Sequence, residues 1–263
     1  MRVLVPLLAI LLIVGLVPSC DEYPAVIGGD GGGDPGPDPG PDPGPDPGPD
    51  PSPGLGHILI LVGNAGALNE SERTLEDRLG RFGREIRIRD DDGFQSDHAG
   101  GCDLVVVSKT VSSDKVGSRL RPVSCAILFW EDNAQMPHML ATIRNDGSGG
   151  TGWHGTEDDV YVRPDAPASL RGGVSGERDI YTRNDEITFA PRGDLVEDAV
   201  VVAEFDEEGG HPVIYALEQG ARLADGTSAA GRRVYFGLYD DTFRLLTPDG
   251  LALFDAAVAW ALR

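Results

Sequence analysis

The chain alternates between apolar runs and short polar stretches, and the period of each run predicts its element. Residues 57–63 read His-Ile-Leu-Ile-Leu-Val-Gly, an unbroken apolar run with β-branched side chains, as in a strand buried on both faces. Asn64, Ala65 and Gly66 make the turn that follows. Asn69 stands three positions before Glu72, the spacing of a capping box, and Leu75, Leu79 and Phe82 fall on one helical face before Gly80 and Gly83 end the helix. Residues 85–89 alternate, with Ile86 and Ile88 on one side and Arg87 and Arg89 on the other, as an edge strand does. After the acidic turn Asp90-Asp91-Asp92-Gly93, residues 103–108 supply another continuous apolar strand, and a short segment follows at 112–120.

The rest is organised around residues 122–133, Pro-Val-Ser-Cys-Ala-Ile-Leu-Phe-Trp-Glu-Asp-Asn. Its apolar run from Cys125 to Trp130 stops abruptly at Glu131 and Asp132, the pattern of a buried strand that delivers acidic groups to one edge of a sheet, where a ligand would bind. Strands and helices in this succession predict an α/β fold with a parallel sheet wrapped by helices. Residues 144–198 are rich in Gly, Asp and Arg and predict an insertion with little regular structure beyond short strands at 160–162 and 187–190. Residues 199–205 and 211–218, joined by an acidic Gly-containing turn, predict an antiparallel hairpin, and 233–238 a further buried strand. The closing helix has Thr247 as N-cap, Pro248 in its first position, and Leu251, Phe254, Val258 and Leu262 along one face.

The N-terminal part obeys different rules. Arg2 followed by the apolar stretch 3–17 reads as an export signal of residues 1–19, too short for a spanning helix, which needs about 20 apolar residues. Its ending, Leu-Val-Pro-Ser-Cys, is similar to a bacterial lipobox, which makes Cys20 the expected lipidation site and the membrane the expected partner through an acyl anchor; ordinary signal cleavage is the alternative. Within residues 20–56, Asp-Pro-Gly-Pro repeats begin at 34, 38, 42 and 46. Proline at every second position fixes φ and removes donors, so the expected form is an extended spacer, in which residues 34–53 at about 3.1 Å per residue span on the order of 60 Å. A tether lifting residues 57–263 from a membrane explains it more simply than a partner-binding motif.

The formal charge of −21, from 22 basic against 43 acidic residues, argues against nucleic acid or an anionic lipid surface as electrostatic partners. Lys109 and Lys115 are the lysines in an otherwise Arg-based set of cations, a bias carrying no functional weight by itself. Of the three cysteines, Cys102 and Cys125 lie on strands expected to be neighbours, where a disulfide and two buried thiols are both compatible with the pattern.

Over most of residues 57–263 the chain resembles the class I glutamine amidotransferase-like superfamily, nearest to its trehalose-utilisation (ThuA-like) branch. The resemblance is carried by Ile58-Leu-Ile-Leu-Val-Gly-Asn64, Asp103-Leu-Val-Val-Val-Ser108, Val111-Ser-Ser113 with Val116-Gly117, Ala126-Ile-Leu-Phe-Trp-Glu131, Arg232-Arg-Val-Tyr-Phe-Gly-Leu-Tyr-Asp-Asp241 and Gly250-Leu-Ala-Leu-Phe-Asp-Ala-Ala-Val-Ala-Trp260. It implies a three-layer, flavodoxin-like parallel sheet, here with an added β hairpin. Glutaminase members place a nucleophilic Cys on a sharp turn after the strand that matches 126–129, and a His-x-Glu pair after the last strand. Here those places hold Trp130-Glu131-Asp132 and Tyr239-Asp240-Asp241. Cys125 precedes the turn, inside the apolar run, where burial would silence a thiol. Glutaminase chemistry is therefore not expected, and no catalytic residue is assigned.

Glu131, Asp240 and Asp241 each follow a strand at the carboxyl edge, joined there by Asn64 and Ser108, and these form the candidate ligand site. Paired carboxylates serve as acid and base in glycoside hydrolysis or hold a hard cation, and solvated loop acids are the plainer alternative. His154, in Gly-Trp-His-Gly, suits a sugar-binding loop or an ordinary surface loop. The histidines show no zinc spacing, Asp90-Asp91-Asp92-Gly93 lacks the alternation of a calcium loop, and the glycine-rich 147–155 has no phosphate-loop pattern, so neither metal nor cofactor is expected. The preferred expectation is a lipid-anchored, extracytoplasmic binding module with a carbohydrate or envelope-protein partner, on the outer side of a bacterial membrane. A carbohydrate-active hydrolase using Glu131 with Asp240 or Asp241, and a structural envelope lipoprotein, are the alternatives.

Overall fold

The structure, a computed structural model, describes residues 56–144, 154–191, 193–205 and 210–263 of the 263-residue chain. The expected signal, Cys20 and the spacer lie outside the described residues, as do 147–153 of the glycine-rich stretch.

Strand β1 (His57–Val62) leads to helix α1 (Glu70–Leu79), then to β2 (Glu85–Asp90), β3 (Cys102–Val107), the single-turn helix α2 (Ser113–Val116) and β4 (Ala126–Phe129). Helix α1 forms where the sequence places it, because Asn69 Oδ1 accepts from Glu72 N at 2.8 Å while Glu72 Oε2 accepts from Asn69 N at 2.9 Å. The chain continues through β5 (His154–Glu157), β6 (Asp159–Val162), α3 (Ala168–Arg171), β7 (Gly176–Asp179), β8 (Asp185–Thr188), β9 (Val200–Glu204), β10 (Pro212–Leu217), β11 (Arg233–Phe236) and α4 (Pro248–Ala261).

Nine strands form one sheet in the order β2-β1-β3-β4-β11-β10-β9-β6-β7. The first five run parallel, and every later pairing is antiparallel. The segment expected to be largely irregular therefore supplies β6 and β7 to this sheet, and β5 and β8 to a separate antiparallel pair. β7 is a four-residue Gly-Glu-Arg-Asp edge strand, recruited by its neighbour β6 and lacking any apolar alternation of its own.

One face of the sheet packs against α1, α3 and α4 through Leu75, Leu79, Leu170, Leu253, Phe254 and Val258. The buried face of α4 is wider than Leu251, Phe254, Val258 and Leu262, since it includes Leu253, Ala257 and Trp260, whereas Leu251 and Leu262 are only half-buried. The opposite face is covered by the single-turn helix α2, short 3-10 turns and irregular chain, carrying Phe94, Val111, Val116, Leu120, Met136 and Leu140. Among the described residues no helix is long and apolar enough to cross a membrane.

At the carboxyl end of β11, Gly237 approaches β8 so closely that an added Cβ would lie 1.9 Å from Thr188 O. Glycine allows Thr188 N to donate to Gly237 O at 3.2 Å, docking the β5–β8 ribbon beside the carboxyl ends of the parallel strands.

Candidate functional site

In an open α/β sheet, ligands characteristically bind outside the carboxyl ends of the strands where the strand order reverses, here between β1 and β3. This crevice is filled. Gly63 N donates to Thr110 Oγ1 at 3.0 Å, and an added Cβ on Gly63 would stand 2.2 Å from Thr110 O. Behind it, Glu72 is buried and accepts from Ser108 Oγ at 3.1 Å and from Thr110 Oγ1 at 2.6 Å. Ser108 is thus committed to the start of α1. Asn64 is exposed, and its Oδ1 accepts from Gly66 N within the turn.

The polar cluster lies one strand further on, between β3 and β4. Trp130 N donates to Val107 O, which brings Glu131 and Asp132 beside Lys109. Lys109 Nζ donates to Glu131 Oε2 at 3.1 Å and to Asp132 Oδ1 at 2.5 Å. Both carboxylates are nearly inaccessible, with Glu131 3 % and Asp132 2 % exposed. Their backbone is fixed by a 3-10 turn at Asp132–Gln135, in which Gln135 Nε2 donates to Asp132 O and Gln135 Oε1 accepts from Tyr215 OH. Tyr215 also shares a 2.7 Å hydrogen bond with Thr142 and stacks on Tyr235, whose OH donates to Thr188 Oγ1.

One ammonium facing two buried carboxylates leaves a net negative cluster. Burial pushes the Glu131 carboxyl up to about 7; Lys109 opposes this and Asp132 adds to it. Burial alone would lower the Lys109 ammonium, but the attraction of Glu131 and Asp132 prevails and raises it. The Lys109 Nζ also stands 5.8 Å from the Tyr239 ring centroid.

Asp240 is exposed on the same edge. Partial burial raises its carboxyl, opposed by Lys109 and reinforced by Glu186, Asp132 and Asp241. Asp241 turns elsewhere: its Oδ1 accepts from Ser71 N at 3.3 Å and its Oδ2 from Arg244 Nε at 2.6 Å, anchoring the loop to the start of α1. His154 enters β5, where its backbone pairs with Thr188. Glu131 and Asp240 thus share an electrostatic neighbourhood, whereas Asn64, Ser108 and Asp241 are held by local partners.

Sequence reasoning did not select Lys109, Asp132 or Tyr239 as site residues. The available signal was the scarcity of lysine: Lys115, the other lysine, also bridges two carboxylates, Asp91 at 2.9 Å and Asp92 at 2.7 Å. A compact ammonium with three donors suits such a bridge better than a planar guanidinium.

Cys102 and Cys125 form a disulfide with Cα atoms 6.2 Å apart, deciding between the two states that the sequence left open.

No family model matches the sequence, and no curated protein does. Among solved structures, a ThuA-like protein from Bacteroides uniformis ATCC 8492 superposes with a TM-score of 0.53 at 9 % identity, over 81 % of this chain and 94 % of that one. A ThuA-like protein from Parabacteroides merdae ATCC 43184 gives 0.46 at 13 % identity, over 80 % and 90 % of the two chains. The first likeness shows that the fold is ThuA-like.

Proposed function

We propose that this protein is a lipid-anchored, extracytoplasmic binding module on a ThuA-like scaffold, and that its carboxyl edge recognises a hydroxylated, carbohydrate-like ligand. The observation carrying this reading is Lys109, held between buried Glu131 and Asp132 and adjoining the Tyr239 ring, with Asp240 exposed nearby. The buried carboxylates fix the ammonium. Lys109 can donate to a ligand hydroxyl, Asp240 can accept from one, and Tyr239 offers a ring face to the C–H side of a sugar. A rigid base under a partly exposed rim suits recognition. That Trp130-Glu131-Asp132 and Tyr239-Asp240-Asp241 stand where glutaminase members carry their Cys and His is a further support.

The raised Glu131 carboxyl favours a second reading, a glycoside hydrolase with Glu131 as general acid and Asp240 as its partner. Asp241, bound to Ser71 and Arg244, is a weaker candidate for that partner. A glycan array probed with the full chain tests the binding reading. Selective binding should weaken about tenfold in Tyr239→Ala and Asp240→Asn, a loss of about 1.4 kcal/mol each. Absence of glycan binding would leave the structural envelope role in its place, and binding undiminished in both variants would put the ligand elsewhere than at this edge.

A further inference from the structure

The junction between β3 and β4 divides the sheet into two differently anchored parts. On one side, β3 is paired to β1 from Leu104 to Val107. On the other, β4 is paired to β11. Arg233 of β11 is 1 % exposed, and its guanidinium donates to Arg121 O, Val123 O and Cys125 O at 3.3, 2.9 and 3.2 Å. Gly231 lies against the same turn, since a Cβ there would stand 2.4 Å from both Ser124 O and Cys125 O. The chain entering β4 is therefore fastened to β11 without help from its sulfur.

Between these parts runs a short ladder, Leu104–Val107 against Ala126–Phe129. It is closed at each end by a different bond. At the amino end it is the Cys102–Cys125 disulfide, and at the carboxyl end the Lys109 ammonium between Glu131 and Asp132. Both cysteines are half-buried and line a cavity of about 540 Å³ with Asp103, Glu218, Arg232 and Arg263, so the covalent closure is open to a reagent while the ionic one is buried.

We propose that the Cys102–Cys125 disulfide is a redox control on the binding edge: a dithiol reductant opens the β3–β4 junction and loosens the Lys109 clamp at its other end. One thiolate of the reductant attacks a cystine sulfur, the Cys102–Cys125 S–S bond breaks, and a mixed disulfide forms. The second reductant thiolate displaces the remaining protein sulfur. Two electrons pass to the protein, the reductant becomes a disulfide, and each cysteine thiolate takes up a proton. Because Arg233 and Gly231 still hold the turn before β4, reduction permits a shift of β3 relative to β4 while the sheet persists.

The inference concerns regulation of the site proposed above and rests on that reading, but its test contains no ligand. The full chain is treated with dithiothreitol under native conditions, and alkylation with peptide mass spectrometry establishes that Cys102 and Cys125 are free. The Glu131 carboxyl is then titrated by 13C NMR, its resonance assigned by its loss in Glu131→Gln. Circular dichroism should show a folded chain. The Glu131 midpoint should move down by about one unit or more toward an ordinary carboxylate, as water enters the loosened clamp. The double variant Cys102→Ser/Cys125→Ser should show the same shift without reductant. An unchanged midpoint with both thiols free, unfolding on reduction, or a disulfide that resists reduction in the folded chain would each overturn the proposal. If the midpoint moves but no glycan binds, the redox coupling stands and the ligand assignment alone fails.

Discussion

Burial makes Glu131 costly to ionise; the Lys109 ammonium offsets part of that cost, and the Asp132 carboxylate adds to it. A carboxyl raised in the folded state contributes stability below its unfolded value of 4.5, and that contribution is lost as pH rises through about 7. Lys109, raised in the folded state, keeps its own contribution across this window and loses it only in alkali. Glu131→Gln, neutral at every pH, should therefore gain stability relative to the unsubstituted chain as pH rises from about 5 to about 8, as measured by urea unfolding. A pH-independent difference would show that Glu131 titrates normally. Glu131 itself was legible in the sequence, because an apolar run ending in two acids marks the carboxyl end of a buried strand. Lys109 was not, since a lysine just after a strand reads as an ordinary solvated side chain until the fold sets Glu131 and Asp132 against it.

Helix α1 does more than its amphipathic pattern indicates. Glu72 closes the capping box with Asn69 and also accepts from Ser108 and Thr110, so one carboxylate ties the helix start to the loop after β3. Asn69→Ala should remove the cap alone and lower stability by about 1 kcal/mol. Glu72→Ala also strips the buried Ser108 hydroxyl of its acceptor and should lower stability by about 3 kcal/mol. Equal losses in chemical denaturation would reduce Glu72 to a cap. The parallel strands were legible because burial on both faces demands continuous apolar runs. β6 was legible as the short run at 160–162, but β7 was not, since this Gly-Glu-Arg-Asp segment becomes a strand by pairing with β6, an effect that its own local pattern does not carry.

At the scale of the whole molecule, a ThuA-like fold follows an acidic, proline-rich stretch and an apolar run that ends at Cys20 in the sequence. If the spacer is a tether, limited proteolysis should release an intact domain beginning near His57, and mass spectrometry of the mature N-terminus should find diacylglycerol on Cys20. Protection of residues 28–55, or an unmodified terminus elsewhere, would contradict that organisation. The parallel half of the fold was legible because buried strands alternating with helices predict a parallel sheet, while the antiparallel extension through β9, β6 and β7 was legible only in fragments. The function was less so, because one scaffold serves many chemistries and the decisive contacts join residues far apart in sequence. The most direct test of the central claim, that the Lys109–Glu131–Asp132 edge binds without catalysing, incubates the full chain and its Glu131→Gln variant with every glycan retained by the array and measures released reducing ends. The account predicts that the unsubstituted chain binds more tightly than Glu131→Gln and that neither releases product. Reproducible hydrolysis by the unsubstituted chain, absent in Glu131→Gln, would contradict it.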